Sequence, residues 1–327
     1  MNDKVQEILD NKGELSKLII GRSFRQSAVV LGVGTDTIIK YSKKHGIADL
    51  SVKSPDVLYR DLTREIKWAD PIIPSEEKDL IVTSDFHIPF MSKFWFNVMM
   101  ETAKKEKIKS LVIAGDLIDA EHFGIFVRPG ESEPWQKTNL PAIREAFSRM
   151  LEWFKNIYIT TGNHTKRIFR QMLYTINSNN LLQIFVPHES DRIHWTDCDY
   201  FTWESENGLW RICHPSGPYA TSVMIKAPTL ATDLADKYDC HVAQGHRHFV
   251  GMAISKYRRK LGIDTGGLFD AEQLLYINRT NRAPIWDNGF LILKKGRPTI
   301  IHSNITDMNP MMEKFRLMPG WEEDMIE

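Results

Sequence analysis

Short apolar runs alternate with helical patterns over the middle of this sequence. The segments DLIVTSD, KSLVIAGD and NIYITTGN each hold an apolar run bounded by polar residues, as buried strands do. The stretches MSKFWFNVMMETAKKEK and LPAIREAFSRMLEWFK lie between them and have the length and pattern of amphipathic helices. This alternation of strands and helices predicts an α/β sheet with crossover helices.

A strand-rich region follows Glu189, with one helical stretch, KAPTLATDLADKY, inside it. Its predicted strands are DYFTWES, LWRICHP, CHVAQGH, GMAISKY, FLILKKG and PTIIHSN, of which the last two form a hairpin. We therefore expect one α/β domain over residues 79–303 and a C-terminal tail over residues 304–327.

The first 50 residues carry a different pattern, that of two short helices. SFRQSAVVLGV has apolar residues close to helical spacing, and TDTIIKYSKKHG has basic residues in its last turn and a glycine beyond them. The turn GVGT joins the two, as in a helix-turn-helix module. We predict such a small all-α domain over residues 1–50 and a linker over residues 51–78. The alternative is a helical module that docks or dimerises the chain, which would give a homodimer.

The charge of the chain is balanced, but its N-terminal segment is basic. Lysines and arginines number 42 and acids number 42, so no field of the whole chain attracts nucleic acid. Between Ser16 and Gly46, six cations oppose one acid, a net charge of +5. Lys40, Lys43 and Lys44 belong to the second predicted helix and are the expected DNA contacts of the module.

Cysteine usage and hydropathy narrow the class of protein. The three cysteines, Cys198, Cys213 and Cys240, have no CxxC spacing and indicate neither a disulfide framework nor a cysteine zinc cluster. No apolar run approaches the ~18 residues that a membrane helix needs. The N-terminal MNDKVQEILDNKGEL lacks the apolar core of a secretory signal. We therefore expect a soluble, cytoplasmic protein with reduced thiols and no membrane partner.

Side chains that can bind metal follow the predicted strands one after another. They are, in chain order, Asp85 and His87, Asp116 and Asp119, Asn163 and His164, His214, and His246 and His248. Functional groups in open α/β sheets collect beyond the carboxyl ends of the strands, so we expect these residues to lie together. Each motif by itself is equally compatible with a turn, a helix cap or a loop, but the five in order indicate a metal site. His188, His194 and His241 lack this placement, and we expect them to be surface or core histidines.

The order Asp-x-His, Gly-Asp-x-x-Asp, Gly-Asn-His, His and Gly-His-x-His resembles the motif set of the calcineurin-like metallophosphoesterase superfamily, from roughly Leu80 to His302. The resemblance implies a four-layer αββα sandwich, phosphoester hydrolysis and two metal ions. The implied ligands are Asp85, His87 and His248 for the first ion and Asn163, His214 and His246 for the second. Asp116 would bridge both ions, His164 would contact the scissile phosphate or protonate the leaving oxygen, and Asp119 would be a supporting residue.

The donor set indicates a dinuclear centre on chemical grounds as well. Imidazole, carboxylate and amide ligands without a thiolate suit manganese, iron or zinc better than calcium. Two such ions ~3.5–4 Å apart can hold the attacking and leaving oxygens of an in-line displacement and acidify a water between them. We expect two divalent ions, Mn²⁺ first, with Fe, Zn²⁺ or Mg²⁺ as alternatives. Each imidazole must be neutral to bind metal, so activity should be lost at acid pH.

Three positions depart from the family pattern. Thr165 follows Gly-Asn-His where many relatives have an acid, so the group that would orient the catalytic histidine is not evident. Ala120 follows Gly-Asp-x-x-Asp where the protein Ser/Thr phosphatases continue into Arg-Gly, which argues against that branch. The fourth motif is His214-Pro215 rather than His-Gly, and we keep His214 because it follows a clear strand.

Clusters of cations favour nucleic acid as the substrate. Besides the N-terminal lysines, the predicted contacts are Lys166, Arg167, Lys256, Arg258 and Arg259. The first two follow the catalytic histidine, and the other three lie in KYRRK, for which a solvated hairpin turn is the alternative. Because clustered cations suit phosphate backbones, we predict a DNA phosphodiesterase or nuclease, similar to the recombination-repair exonucleases of the superfamily. The alternatives are a phosphomonoesterase or small-nucleotide phosphodiesterase with a docking module, and a DNA-binding regulator with an inactive phosphoesterase domain.

Overall fold

The structure is a computed structural model of the chain, which separates into two compact units, Met1–Ala69 and Asp70–Glu327. It describes residues 3–20, 22–48, 70–123, 135–188, 190–216, 227–274, 286–304 and 306–308. The predicted linker lies outside the described residues up to position 69, and the predicted C-terminal tail lies outside them beyond position 308. No helix within the described ranges is long and apolar enough to cross a membrane.

The described part of the N-terminal unit consists of short helices. They are α1 (Asp3–Asp10), α2 (Lys12–Ile19), α3 (Phe24–Leu31) and α4 (Thr35–Lys44). A capping box begins α3, because Ser23 Oγ accepts from the backbone of Gln26 and the Gln26 side chain accepts from the backbone of Ser23. Gly32 ends α3 in the left-handed conformation that glycine adopts without strain. The two helices predicted from the sequence are therefore present as α3 and α4, and apolar residues of all four helices form their core.

The described strands of the second unit form two six-stranded sheets. In chain order they are β1 (Ile72–Ile73), β2 (Asp79–Thr83), β3 (Ser110–Ile113), β4 (Asn156–Ile159), β5 (Ile193–Trp195), β6 (Tyr200–Ser205), β7 (Gly208–Cys213), β8 (His241–Gln244), β9 (Val250–Ile254), β10 (Leu261–Thr265), β11 (Gly289–Lys294) and β12 (Arg297–His302). The first sheet has the order β12-β11-β2-β3-β4-β5, in which β2 to β5 are parallel. The second has the order β1-β6-β7-β8-β10-β9 and is mixed. Because β1 pairs with β6, this sheet includes part of the segment predicted as linker.

Helices cover the outer faces of both sheets. They are α5 (Lys93–Lys105), α6 (Trp135–Leu151), α7 (Asn163–Gln171), α8 (Ser178–Phe185) and α9 (Thr229–Tyr238). Successive side chains of a strand point to opposite faces, so in β2 Ile81 packs with α5 to α8, whereas Leu80 and Val82 pack with the second sheet. Ala231 and Ala235 of α9 pack on the outer face of that second sheet. The layers are therefore helix, sheet, sheet, helix, which confirms the predicted αββα sandwich.

Candidate metal centre

The residues predicted to bind metal lie where strands of both sheets end. Asp85 and Asp116 follow β2 and β3, which pair in parallel, and Asn163 follows β4 on the other side of β3. His214 and His246 follow β7 and β8, a parallel pair of the second sheet. Parallel neighbours end at the same edge of a sheet, so five segments of the chain deliver their side chains to one place.

The backbone is strained at this site. Asp85, His87, Asp116, His246 and His248 all have φ between 45° and 78°. Residues other than glycine seldom adopt this left-handed conformation, and such outliers gather at functional sites where the surrounding structure holds them. Here the conformation makes the tight turns that aim these side chains at one another directly after their strands.

The glycine of each motif leaves room for the ligands of the others. A Cβ on Gly115 would lie 2.3 Å from the ring of His214, and one on Gly162 would lie 2.1 Å from Asp116 Oδ1. A Cβ on Gly245 would lie 2.7 Å from Asp85 Oδ2. All three distances are far below normal contact, so a side chain at any of these positions would displace part of the site.

The first cluster consists of Asp85, His87 and His248, all buried. His248 Nε2 lies 3.1 Å from Asp85 Oδ1 and 3.2 Å from His87 Nε2. The other ring nitrogen of His87, Nδ1, donates to Asp119 Oδ1 at 2.9 Å, which leaves Nε2 to bind metal. Burial and the nearby His164 lower the pKa of His87, so its ring is neutral, as metal binding requires.

The second cluster consists of Asp116, His214 and His246, with Asn163 beside them. His214 Nδ1 donates to Ala114 O at 2.8 Å, so its Nε2 carries a lone pair. That Nε2 lies 3.0 Å from Asp116 Oδ2 and 3.0 Å from Asn163 Oδ1. Three acceptor atoms therefore face one another, an arrangement that requires a cation, either a proton or a metal ion.

Electrostatics in the second cluster favour a bound positive charge. Burial opposes protonation of His214, but Asp116 and Asp85 outweigh it and raise the pKa of His214 to about 9. Burial also acts against ionisation of Asp116, yet His214 and His164 hold its pKa well below the usual value. Burial and His214 lower the pKa of His246 to about 4, so that ring stays neutral. The cluster therefore offers an anionic carboxylate and a neutral imidazole to a cation.

The donor set of the two clusters fits two divalent metal ions. Within each cluster the ligand atoms lie within 4.8 Å of one another, and all are nitrogen or oxygen atoms. Asp85 joins the clusters, because Oδ1 faces His248 and Oδ2 accepts from the backbone of His246 at 2.8 Å. Burial raises the pKa of Cys213 to about 12, so the thiol that precedes His214 in the chain stays protonated and is not a ligand.

His164 adjoins both clusters with its Nδ1 already engaged. Nδ1 lies 2.6 Å from Asp119 O and 3.0 Å from Asp119 Oδ1, and the backbone N–H of His164 donates to Asp116 Oδ1 at 2.8 Å. Nε2 faces Arg167, whose Nη2 is 3.0 Å away. Burial disfavours the charged ring, but Asp116 and Asp119 outweigh it and raise the pKa of His164. These contacts engage both ring nitrogens of His164 within the protein, which suits a residue that acts beside the metals rather than one that binds them.

Asp119 is the residue that orients the ring of His164, a role that the sequence leaves unassigned. Its Oδ1 lies 2.9 Å from His87 Nδ1 and 3.0 Å from His164 Nδ1, so one oxygen contacts both rings. The histidines hold the pKa of Asp119 below its usual value against the effect of burial. The Gly-Asp-x-x-Asp motif identifies Asp119 as a candidate, three positions after Asp116. The motif does not indicate which histidine rings Asp119 contacts.

The three competing histidines lie outside both clusters. His188 is exposed on the surface. His194 stacks on Tyr158 with ring centroids 4.8 Å apart. His241 Nδ1 accepts from the backbone N–H of Leu261 at 2.9 Å.

The predicted nucleic-acid contacts of α4 share one face of that helix. Lys43 and Lys44 lie three and four residues after Lys40. This spacing places the three lysines together at the surface. Lys44 Nζ lies 3.1 Å from Asp10 Oδ1 and is therefore partly neutralised. Within residues 3–48, Lys40 and Lys43 form no ion pair and carry the free positive charge of this face.

The other predicted contacts separate into two places. Lys166 and Arg167 lie on α7 next to His164, and Lys166 Nζ donates to Ser216 Oγ at 2.9 Å. KYRRK forms the turn between β9 and β10. Because β10 runs parallel to β8, whose carboxyl end leads into the metal centre, this turn lies at the opposite end of the second sheet. The structure does not bring Lys256, Arg258 and Arg259 to the metal centre.

Comparison with known proteins finds structural similarity only. No family model matches the chain, and no curated protein matches it by sequence. A single mutant of Vps29 from Entamoeba histolytica is 10% identical, with a TM-score of 0.37 over 68% of this chain and 98% of that one. YfcE, a phosphoesterase from E. coli, is 14% identical, with a TM-score of 0.36 over 70% of this chain and 95% of that one. A dimetal phosphatase from Danio rerio is 9% identical, with a TM-score of 0.32 over 71% and 99%. Similarity at this level does not establish a function.

Proposed function

We propose that this chain is a dinuclear metal-dependent phosphoester hydrolase. The observation that supports it most strongly is the pair of clusters beyond the carboxyl ends of strands from both sheets. Both clusters are made of imidazole nitrogens and carboxylate oxygens. Two divalent ions bound there would polarise the phosphate and lower the pKa of the attacking water. Their charges would also offset the two buried carboxylates, Asp85 and Asp116, which is the usual way for a protein to hold such groups without water.

The residues divide into two ligand sets in this proposal. The ligands are Asp85, His87 and His248 for one ion and Asn163, His214 and His246 for the other. Asp116 would bridge them, as the resemblance to the superfamily implies: its Oδ2 faces His214 of the second set, and its Oδ1 accepts from the backbone of His164. The metal identity stays a prediction, with Mn²⁺ first.

His164 would serve the leaving oxygen through Nε2. Asp119 fixes the Nδ1 side of the ring, so a proton carried on Nε2 would point away from Asp119 and towards the substrate. Only 5% of His164 is exposed, which keeps bulk water from competing for that proton.

We further propose DNA as the substrate. Support comes from Lys40 and Lys43 on the surface of α4, which form no ion pair with the other described residues of the N-terminal unit, and from the cation Arg167 beside His164. A phosphomonoesterase is the second candidate. It is favoured by the position of KYRRK, which lies at the end of the second sheet opposite the metal centre.

Substrate choice can be tested on the full-length protein with added Mn²⁺, Zn²⁺, Fe²⁺ or Mg²⁺. The substrates are an aryl phosphomonoester, an aryl phosphodiester, and linear and circular DNA. We expect hydrolysis of the diester and of DNA, and we expect the double variant Lys40→Glu, Lys43→Glu to lose DNA cleavage while keeping aryl diester hydrolysis. Lys12→Glu, an exposed lysine on α2, is the matched control. Hydrolysis of the monoester alone would end the nuclease proposal, and no hydrolysis at all would end the hydrolase proposal.

A further inference from the structure

Helix α7 places three polar side chains at the metal centre from one of its faces. Asn163 and His164 begin the helix. Arg167 lies four residues after Asn163 and three after His164, which is the spacing of neighbours on a helix surface. The Nη2 atom of Arg167 is 3.0 Å from His164 Nε2, and its Nη1 atom is 3.4 Å from Asp119 O. The guanidinium therefore lies against the ring nitrogen that would face a substrate.

The two adjacent cations of α7 differ in how they are neutralised. Lys166 Nζ donates to Ser216 Oγ and lies 3.8 Å from Asp199 Oδ2, so its charge already has a counter-ion. Arg167 is half-buried and, within the described ranges, has no carboxylate oxygen at ion-pair distance.

Arg167 also retains hydrogen-bonding capacity. A guanidinium has five N–H donors, and among the residues that the structure describes the contacts with His164 and Asp119 engage two of them. The planar fork of the remaining donors matches two oxygens of one phosphate group, which a point-charge ammonium does not. A half-buried cation with spare donors beside a hydrolytic site is best satisfied by an anionic ligand.

We propose that Arg167 binds the non-bridging oxygens of the scissile phosphate, an inference that rests on the proposed phosphoesterase function. In the free protein its Nη2 donates to His164 Nε2, and this hydrogen bond occupies the nitrogen that serves the leaving oxygen. An arriving phosphate takes over the donors of Arg167. His164 Nε2, which is unprotonated while it accepts from Arg167, is then free to take up a proton from water and pass it to the leaving oxygen, so Arg167 couples phosphate binding to the availability of His164.

The test uses the full-length protein loaded with metal, and the probe is inorganic phosphate titrated calorimetrically. Arg167→Ala should weaken phosphate binding by about 10- to 100-fold, the usual loss for a charge-assisted hydrogen bond. Arg167→Lys should recover part of it. Arg170→Ala, which removes an exposed arginine from the same helix, should bind phosphate like the wild type.

The kinetics of aryl diester hydrolysis provide a second measurement, which would not respond in this way if Arg167 only supported the fold. Arg167→Ala should raise KM, and added guanidinium ion at millimolar concentration should restore part of the rate to this variant while leaving the rate of Arg170→Ala unchanged. Metal content and thermal unfolding, measured on each variant, identify any loss caused by misfolding.

The outcomes separate the two proposals. Equal phosphate affinity in the wild type and Arg167→Ala, or no phosphate binding by the wild type, overturns the role of Arg167 whatever the hydrolysis assays show. Phosphate binding that depends on Arg167, in a protein that hydrolyses no phosphoester with any of the metals, supports the phosphate site and rejects the proposed hydrolase function.

Discussion

At the scale of single residues, the candidate site is organised by contacts between histidine rings and buried carboxylates. Asp119 Oδ1 contacts the Nδ1 atoms of His87 and His164 together. His214 uses Nδ1 on a backbone carbonyl and presents Nε2 to two acceptor oxygens. In each ring the hydrogen bond made by Nδ1 leaves Nε2 facing the site. Carboxylates and carbonyls outside a metal centre commonly orient the ligating histidines in this way.

Replacing His164 distinguishes a role as proton donor from a role as metal ligand. His164→Ala should lower the rate of aryl diester hydrolysis by roughly 10²–10⁴-fold, the usual contribution of a positioned general acid, and should leave metal content unchanged. The control is His188→Ala, which removes an exposed histidine outside both clusters. Loss of metal from His164→Ala would show that His164 is a ligand instead.

Residue types and their order were readable from the sequence, but their contacts were not. The motif spacing indicated which residues meet, since each follows an apolar strand. The missing acid after the Gly-Asn-His motif left the orientation of His164 unexplained, and the structure places Asp119 there instead. A ring orientation depends on distances between segments far apart in the chain, and no local pattern reports those distances.

At the scale of helices and strands, the elements with a continuous apolar run or a long amphipathic pattern were predicted, and several elements without either were missed. The apolar runs of β2, β3 and β4 and the pattern of α5 are unambiguous. The segment containing α8 and β5 was not predicted, because SNNLLQIF and IHW have neither a continuous apolar run nor a clear helical or alternating pattern. Packing fixes such elements instead, as when Leu181 and Phe185 of α8 become buried in the core beneath the first sheet.

Helix α6 begins earlier than the sequence predicts. Pro141 lies inside this helix, although proline has no N–H for the helical hydrogen bond and favours helix ends. The predicted helical stretch begins at Leu140, whereas the helix runs from Trp135 to Leu151. Ile143, Phe147 and other buried side chains along the helix provide the packing that tolerates the proline.

The capping box of α3 should matter for the stability of the N-terminal unit. Ser23→Ala removes the side-chain acceptor for the backbone of Gln26 and should lower the free energy of unfolding of this unit by ~1 kcal/mol. Hydrogen exchange of the α3 and α4 amides measures this change. Ser16→Ala, the same substitution inside α2, is the control and should cost nothing, because alanine has the higher helix propensity. Equal protection in Ser23→Ala and the wild type would mean that the cap is not stabilising.

At the scale of the whole molecule, the sequence was informative about the sandwich and less so about substrate. Strands buried on both faces require cover on both sides, which the amphipathic helices and the second sheet provide. Substrate choice depends instead on surface cations, and KYRRK shows the limit of reading them from sequence. It follows the Gly-His-x-His motif closely in the chain, yet strand β9 carries it to the far end of its sheet.

We propose that the two clusters bind two metal ions that share Asp116. The most direct measurement is the metal content of full-length protein that has been loaded with Mn²⁺, freed of excess metal and analysed by mass spectrometry of the elements. We predict two ions per chain for the wild type and loss of metal from Asp116→Ala, with two ions retained in His188→Ala. One ion or none in the wild type, or an unchanged metal content in Asp116→Ala, would contradict the account.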